Sequence, residues 1–577
     1  MCIYQSSVFG RAIKGGLLLL LVLSSCATPT LPIPPSPVAP TTAAPASVPP
    51  TPAPTTSSIP TWTPVPLTPT APPTSTPPPP VTIALEFGAP AVLGDRISEL
   101  IASRPAEFAW GDLGVAEVTA GHDPTLPLGA WFYAVVAPFP TLLDDVSWAD
   151  LAAAWNGASD PLGHSLLLDA ETAAAIETKL GGPPAAAQLM DRPELLDAAW
   201  SARPAWSIIP FEALEPRWKV LRVDGFSPLD KPLDAGAYPL ALPIGLKGPV
   251  DKAEKVWVAL GGAAAGITNR DESRMTVLAM TGVTALVRAT AFEMEIQGMT
   301  YPGEAVVDVL EPADIAHVSN EVSFAADCPY PNPSRQDGNL RFCSDDRYIE
   351  LLEYVGVDVV ELTGNHINDW STAAFSRTLG MYQERGWGVF GGGANALEAS
   401  RPLTMTNNGN TIGFVGCNPA GPQFAWATAE NPGSAYCTIE SLAGTVTELA
   451  PKVDVVVIGL QYREFYNYAP TAQQRADMVA LAEAGADIVS GSQGHHAQGF
   501  AFPAGRFVHF GVGNLFFDQM DLLGTRQTFI DRHIIYAGQY ISTELWTGLI
   551  ENWARPRVMT AAERQSLLQS AFAASGW

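Results

Sequence analysis

Two loops concentrate the side chains that could do acid–base or metal chemistry. The apolar run 357–362 leads straight into Thr363-Gly364-Asn365-His366, with Asp369 three residues on. The run 484–490 leads into Gly491-Ser492-Gln493-Gly494-His495-His496. Imidazole changes charge near neutral pH and serves as general acid, general base or metal ligand. An Asn-His pair at a strand end is an odd choice for packing, so His366 is a functional candidate, and His495 is a second. One of two adjacent histidines usually points elsewhere, which limits His496 to a substrate contact. Asp369 reads either as a cap for the helix that follows or as a substrate contact. His317, His509 and His533 read as packing residues, and Asn514 and Asp518 as residues that order the last loop.

The elements that must position these loops show a strand-loop-helix rhythm from 274 to 545. Strands are expected at 275–280, 313–318, 357–362, 411–415, 453–460, 487–490 and 506–510. Helices are expected at 372–385, where Phe375, Leu379 and Tyr382 share one face, and at 473–484. Polar clusters follow the strand ends repeatedly. In open α/β sheets ligands bind beyond the carboxyl ends of strands, so this placement marks a site. Residues 81–248 alternate in the same way, with strands at 130–136 and 206–210 and helices at 147–155 and 194–200, the first opened by Ser147. That pattern also indicates α/β. Residues 249–273, with Lys252, Lys255, Asp271 and Glu272, read as a connector, and 546–577 as a helical tail.

Four segments in order carry a resemblance. They are "LTGNHINDW" (362–370), "GVFGGGANALEASRPL" (388–403), "AGADIVSGSQGHHAQG" (484–499) and "HFGVGNLFFDQ" (509–519). Together they resemble the CapA family, capsule or poly-γ-glutamate synthesis proteins with a calcineurin-like metallophosphatase fold. The resemblance implies an α/β/β/α sandwich over 274–545. It also implies metal and catalytic positions, and several differ here. Val283 stands where the family has a bridging Asp, Gln461 where it has a His, and Ser492 where it has the first His of the last loop. The family's Asn-x-Glu loop appears as Ser319-Asn320-Glu321, which keeps the Glu. The set that remains assigns chemistry to Glu321, His366 and His495, and substrate contacts to Asn365, Asp369, Gln461 and His496. Glu321, Asn365, His366 and His495 are the candidates for holding one divalent metal ion. The alternative is metal-free hydrogen bonding of a substrate, with Glu321 or a histidine as general base.

Residues 81–248 weakly resemble the second half of a periplasmic solute-binding module of the phosphate-binding kind. The resemblance lies in residues 131–136, "VSWADLAAAWNG" (146–157) and "AYPLALPIGL" (237–246). The expected fold class is therefore α/β: a metallophosphatase-like sandwich preceded by a smaller solute-binding-like domain.

The N-terminus reads as an address. Arg11 and Lys14 precede a short apolar run, and Leu23-Ser24-Ser25-Cys26 resembles the lipobox of bacterial lipoproteins. Cys26 is then the lipidation site, and 1–26 the signal peptide. Residues 27–80 form a tether of Pro, Thr, Ser and Ala without a charged residue, a composition that favours extended polyproline II. Of the 6 cysteines, Cys328, Cys343, Cys417 and Cys437 remain for disulfides. Of the three connectivities they allow, local pairing of 328 with 343 and 417 with 437 is expected. No Cys-x-x-Cys spacing supports a zinc site.

Composition excludes some partners. The 577 residues carry a formal charge of −26, so no basic face displaces counterions from nucleic acid. The expected role is at the cell surface, lipid-anchored and extracytoplasmic. The expected partners are an envelope polymer such as poly-γ-glutamate, the membrane through the lipid, and capsule synthesis proteins. The alternatives are a non-catalytic polymer-binding or scaffold lipoprotein, and a solute-capture lipoprotein. A polyanionic polymer needs a local cationic contact, for which Arg288, Arg463 and Arg532 are the candidates.

Overall fold

Strand Met275–Thr281 is buried along its whole length, and its two faces go to different cores. Leu278 and Met280 enter one cluster of apolar side chains and Ala279 another. The same period-2 sorting separates Val359 from Val360, Val457 from Val456, Ile488 from Val489, and Phe507 from Val508. One cluster is common to all these strands, which requires two sheets facing each other across a shared core.

The computed structural model describes residues 78–158, 165–334 and 340–577. The expected signal peptide, Cys26 and nearly all of the expected tether lie outside them. The first sheet runs Gly388–Phe390, Val359–Glu361, Ile315–Asn320, Met275–Thr281, Gln527–Tyr536, Gln539–Glu551, Arg555–Val558. The first four strands are parallel and the last three antiparallel. The second runs Leu403–Asn407, Asn410–Cys417, Val455–Gln461, Ile488–Ser492, Phe507–His509, Phe500–Ala501, with its four central strands parallel. Helices Arg288–Gln297, Ile349–Tyr354 and Thr372–Glu384 cover the outside of the first sheet. Ile439–Leu449 and Ala472–Glu483 cover the second. The layering is the expected α/β/β/α. Helix Ala561–Ser575, opened by a capping box between Thr560 and Glu563, closes one side of the shared core.

The preceding α/β region is built on the long strand Leu126–Pro138. It pairs with Ala205–Pro210, Trp218–Val223, Ala241–Lys247 and Ile267–Thr268. The stretch 249–273 contributes to it through helix Val250–Ala259 and strand Ile267–Thr268. Helix Trp148–Trp155 is capped by the Ser147 side chain, which accepts the Asp150 N–H.

The described residues form one compact unit. Phe139, at the end of the long strand, packs into the sandwich core against Phe500, Phe502, Phe507, Phe572 and Trp577, with ring centroids 5.0–6.1 Å away. Phe139→Ala should therefore cost about 3 kcal/mol in urea unfolding monitored on the whole chain. A change near zero would mean that the two regions are stabilised separately. Disulfides join Cys328 to Cys343 and Cys417 to Cys437, as the local pairing predicts.

Candidate functional site

The carboxyl ends of the parallel strands converge at one edge of the sandwich. Ile315–Asn320 delivers Glu321, and Val359–Glu361 delivers Asn365 and His366. Val455–Gln461 ends on Gln461, and Ile488–Ser492 continues into Gln493 and His495. The first two loops touch directly: Val322 bridges to His366, and a Cβ on Gly364 would sit 2.4 Å from the Glu321 Cα. Only glycine fits there. Gly364→Ala should cost at least about 2 kcal/mol and push Glu321 out of place. Thermal unfolding checks this, and a near-neutral result would show that the loops can separate.

His366 is oriented by Asp369. Its Nδ1–H donates to Asp369 Oδ2 at 2.7 Å, and the same oxygen accepts the Phe342 N–H at 3.0 Å. Nε2 is left as the reactive nitrogen. Burial would lower the imidazole pKa. The Asp369 hydrogen bond, with the charges of Glu321, Asp369 and Glu464, outweighs burial and holds it above the ordinary value. These neighbours favour the protonated form relative to a free imidazole.

His495 is oriented by Asn514, whose Oδ1 lies 2.7 Å from Nδ1. The Asn514 amide N–H groups donate to the carbonyls of Thr525 and His495, which leaves Oδ1 as the acceptor and puts the His495 proton on Nδ1. The Nε2 of His495 lies 3.9 Å from a carboxylate oxygen of Glu464. Glu464 thus acts on both imidazoles. Gln461 donates to Asn365 Oδ1 at 3.1 Å and to Gln493, and accepts from Ser492 Oγ at 2.9 Å. The same Ser492 Oγ lies 3.1 Å from Glu361, the alternative acceptor for its one proton, and Glu361 lies 3.3 Å from His317 inside the sandwich.

Arg288 brings a cation to the same place. Its guanidinium lies over the rings of Phe342 and Phe517, at 5.0 and 4.9 Å, and donates to Asp518. Those two rings also contact His366 and His495, with centroids 4.6 and 5.2 Å apart. Three non-glycine residues around the site hold left-handed backbone: Arg288, Gln493 and His495, with φ of +48°, +69° and +47°. Each costs on the order of 1 kcal/mol, a strain that clusters at functional sites.

Glu321 is the exceptional group. It is 1% exposed, and neither carboxylate oxygen has a hydrogen-bond partner among the described residues. Such a group costs folding free energy unless something else uses it.

The structure therefore gathers Glu321, Asn365, His366, Asp369, Gln461 and His495 around one edge. His496 is placed differently. Its Nδ1 bonds the Ala497 carbonyl, its ring packs edge-on to Tyr468, and Gly524 passes over Nε2. Burial holds its pKa below the ordinary value. Of the candidate arginines Arg288 reaches the site. Arg532 pairs with Glu544 elsewhere, and Arg463 is exposed. Glu464, Gln493 and the ring of Phe342 escaped the sequence reading. Glu464 had a signal, because it follows directly on the carboxyl end of a strand.

A dinuclear centre needs a bridging carboxylate. At that position Val283 is an apolar, buried side chain paired in register with Ser319 and Asn514. Among the described residues no three His, Cys, Asp or Glu side chains are grouped so as to hold a metal ion. The donor set does not fit a two-metal centre, and no catalytic step is assigned to a metal.

Residues 271–519 match the family model described as "Bacterial capsule synthesis protein PGA_cap". The chain is 25% identical over 267 residues to the capsule biosynthesis protein CapA of Bacillus anthracis, covering 46% of this chain and 64% of that protein. It is 25% identical over 190 residues to the PGA biosynthesis protein CapA of Bacillus subtilis, covering 33% of this chain and 50% of that protein. The chain thus spans between half and two thirds of the length of these relatives. An ABC-type phosphate transport receptor from Vibrio cholerae aligns with a TM-score of 0.27 at 13% identity, over 32% of this chain and 95% of that one. Residues 271–519 are thus similar to bacterial capsule synthesis proteins of the CapA kind.

Proposed function

We propose that this protein works outside the cytoplasmic membrane in capsule or poly-γ-glutamate synthesis, and that its strand-end site hydrolyses or transfers an amide or ester bond of the envelope polymer. The names of the relatives support the pathway. Two disulfides suit an oxidising compartment. Among the described residues no helix is long and apolar enough to cross a membrane, and a lipid on Cys26 with the 27–80 tether would supply the attachment. Proteins of a capsule synthesis complex are the proposed partners.

The observation that carries the catalytic reading is the buried Glu321 carboxylate without partners, beside an imidazole held toward its protonated form. Glu321 takes a proton from water or an acceptor hydroxyl. The oxygen attacks the polymer carbonyl, the C–N or C–O bond breaks, and His366 Nε2 protonates the leaving group. Arg288 and the His366 cation offset the charge of an anionic polymer in an otherwise acidic protein. His495 and Gln461 bind the chain being cut.

A second reading, a polymer-binding scaffold that lacks catalysis, is favoured by Val283 at the bridging position. The test incubates purified full chain with poly-γ-glutamate, with and without EDTA, and follows polymer length by size-exclusion chromatography. Shortening that survives EDTA and is lost in H366N supports the metal-free enzyme. Saturable binding without shortening supports the scaffold. Neither binding nor shortening overturns both.

A further inference from the structure

A cavity of about 320 Å³ lies between strand Trp218–Val223 of the first region and strand Gln539–Glu551 of the sandwich, with helix Ala561–Ser575 as another wall. It shares no lining residue with the strand-end site. Four cations line it: Lys219, Arg222, Arg532 and Arg564. Three carboxylates accompany them: Asp144, Asp308 and Glu544. The wall is thus net positive by one charge in a chain of net charge −26. Its remaining surface is largely apolar, with Phe139, Trp546, Leu568 and Phe572 at the core of it.

The carboxylates do not use up the donors. Arg564 is engaged by Asp144 through Nε and Nη2, and by the Leu545 carbonyl and Thr547 through Nη1. Arg222 is engaged by Asp230 and the Gly225 carbonyl. Among the described residues Arg532 makes one hydrogen bond, from Nη1 to Glu544 at 2.7 Å, out of the five N–H groups a guanidinium offers. Lys219 has three N–H groups and two partners, the Thr141 carbonyl and Asp144, both at 2.7 Å. Burial pushes the Lys219 ammonium down to about 8; Asp144 resists that shift and Arg564 adds to it.

We propose that this cavity binds a small organic monoanion, a carboxylate attached to an apolar body, with Arg532 and Lys219 holding the carboxylate and the aromatic wall holding the body. A planar guanidinium matches a carboxylate in two parallel hydrogen bonds. The single surplus positive charge balances one negative charge, and the three wall carboxylates repel a more highly charged anion. The volume is at the small end of ligand pockets, which suits a single compact molecule.

Isothermal titration of the full chain with phenylacetate, and with its neutral amide phenylacetamide as control, tests this. Phenylacetate should bind saturably at millimolar concentration or below, about tenfold or more tighter than the amide. R532Q should weaken phenylacetate about tenfold while binding of the amide, if any, stays the same. Val309→Trp, at a half-buried lining position, should block binding by filling the space. R532Q reads the charge contact and Val309→Trp the volume, so a folding failure in one leaves the other. The absence of saturable binding, equal affinity for the amide, or full affinity in either folded variant overturns the proposal.

Discussion

Glu321→Gln should stabilise the protein by about 1 kcal/mol and, under the proposed reaction, lower polymer cleavage by roughly 10²–10⁴-fold. The two effects have one cause. The wild-type carboxylate is buried without a hydrogen-bond partner among the described residues, so it carries a desolvation cost that only the His366 charge offsets in part. An amide of the same shape carries less. The gain is small because the amide also lacks partners, and because His366 loses an attracting charge. That loss has its own signature. His366 titrates above the ordinary histidine value, so its contribution to stability is complete below the unfolded pKa and disappears as pH rises through the folded one. In the Gln variant the folded pKa should fall, and NMR titration of the ring would record it. A variant that is less stable, with His366 unmoved, would make Glu321 a structural residue and remove the general base from the mechanism.

Acidification should unfold the chain over a narrow range, with roughly 5 kcal/mol of stability lost between pH 6.5 and about 4. Two histidines are responsible. Burial pushes both His533 and His122 down to about 4 from the ordinary 6.5. His533 lies in the sandwich core, with Nδ1 on Thr543 Oγ1 at 2.7 Å and its ring against Phe507 and Tyr540. Asp531 pulls its pKa up, while His509 and His317 push it further down. His122 lies in the first region beside the Tyr133 hydroxyl at 3.2 Å, and the Lys247 charge adds to burial. Both rings are neutral in the fold and take up protons on unfolding. Their contribution is fully present above 6.5 and declines as pH falls toward 4. Such a loss is comparable to the whole stability of a typical domain. Urea midpoints measured across this range give the slope directly, and His533→Gln should flatten it by about half. A flat wild-type profile would contradict the buried neutral state of these rings.

The two sets of histidines separate what is local in the sequence from what is not. His366 and His495 were legible because each follows an apolar run at a strand's carboxyl end, a local feature. His317, His509 and His533 read as packing residues and all three are buried; Nε2 of His509 and of His533 has no hydrogen-bond partner among the described residues, and that of His317 faces Glu361 at 3.3 Å. Their mutual influence depends on strands far apart in sequence and could not be read from neighbours. Glu464 was missed for a related reason. It lies on a loop of exposed residues, and only the approach of His495 and His366 gives it a role.

Element boundaries shifted by a residue or two, as at Ile315–Asn320 against the expected 313–318, because the hydrogen-bond partner strand decides where pairing stops. The stretch 249–273 has connector composition, yet Ile267–Thr268 joins a sheet edge supplied by residues more than a hundred positions earlier.

The sequence by itself determined the α/β alternation, the placement of polar residues at strand ends, the local disulfides and the family likeness. All of these rest on periodicity or spacing within a few tens of residues. Tertiary structure alone decided that Arg288 and Glu464 join the two imidazoles, that Glu321 is left without a partner, and that a cationic cavity opens between two regions. Those are properties of distance between segments far apart in the chain, set by how the two sheets and the leading region pack, and no local pattern encodes them.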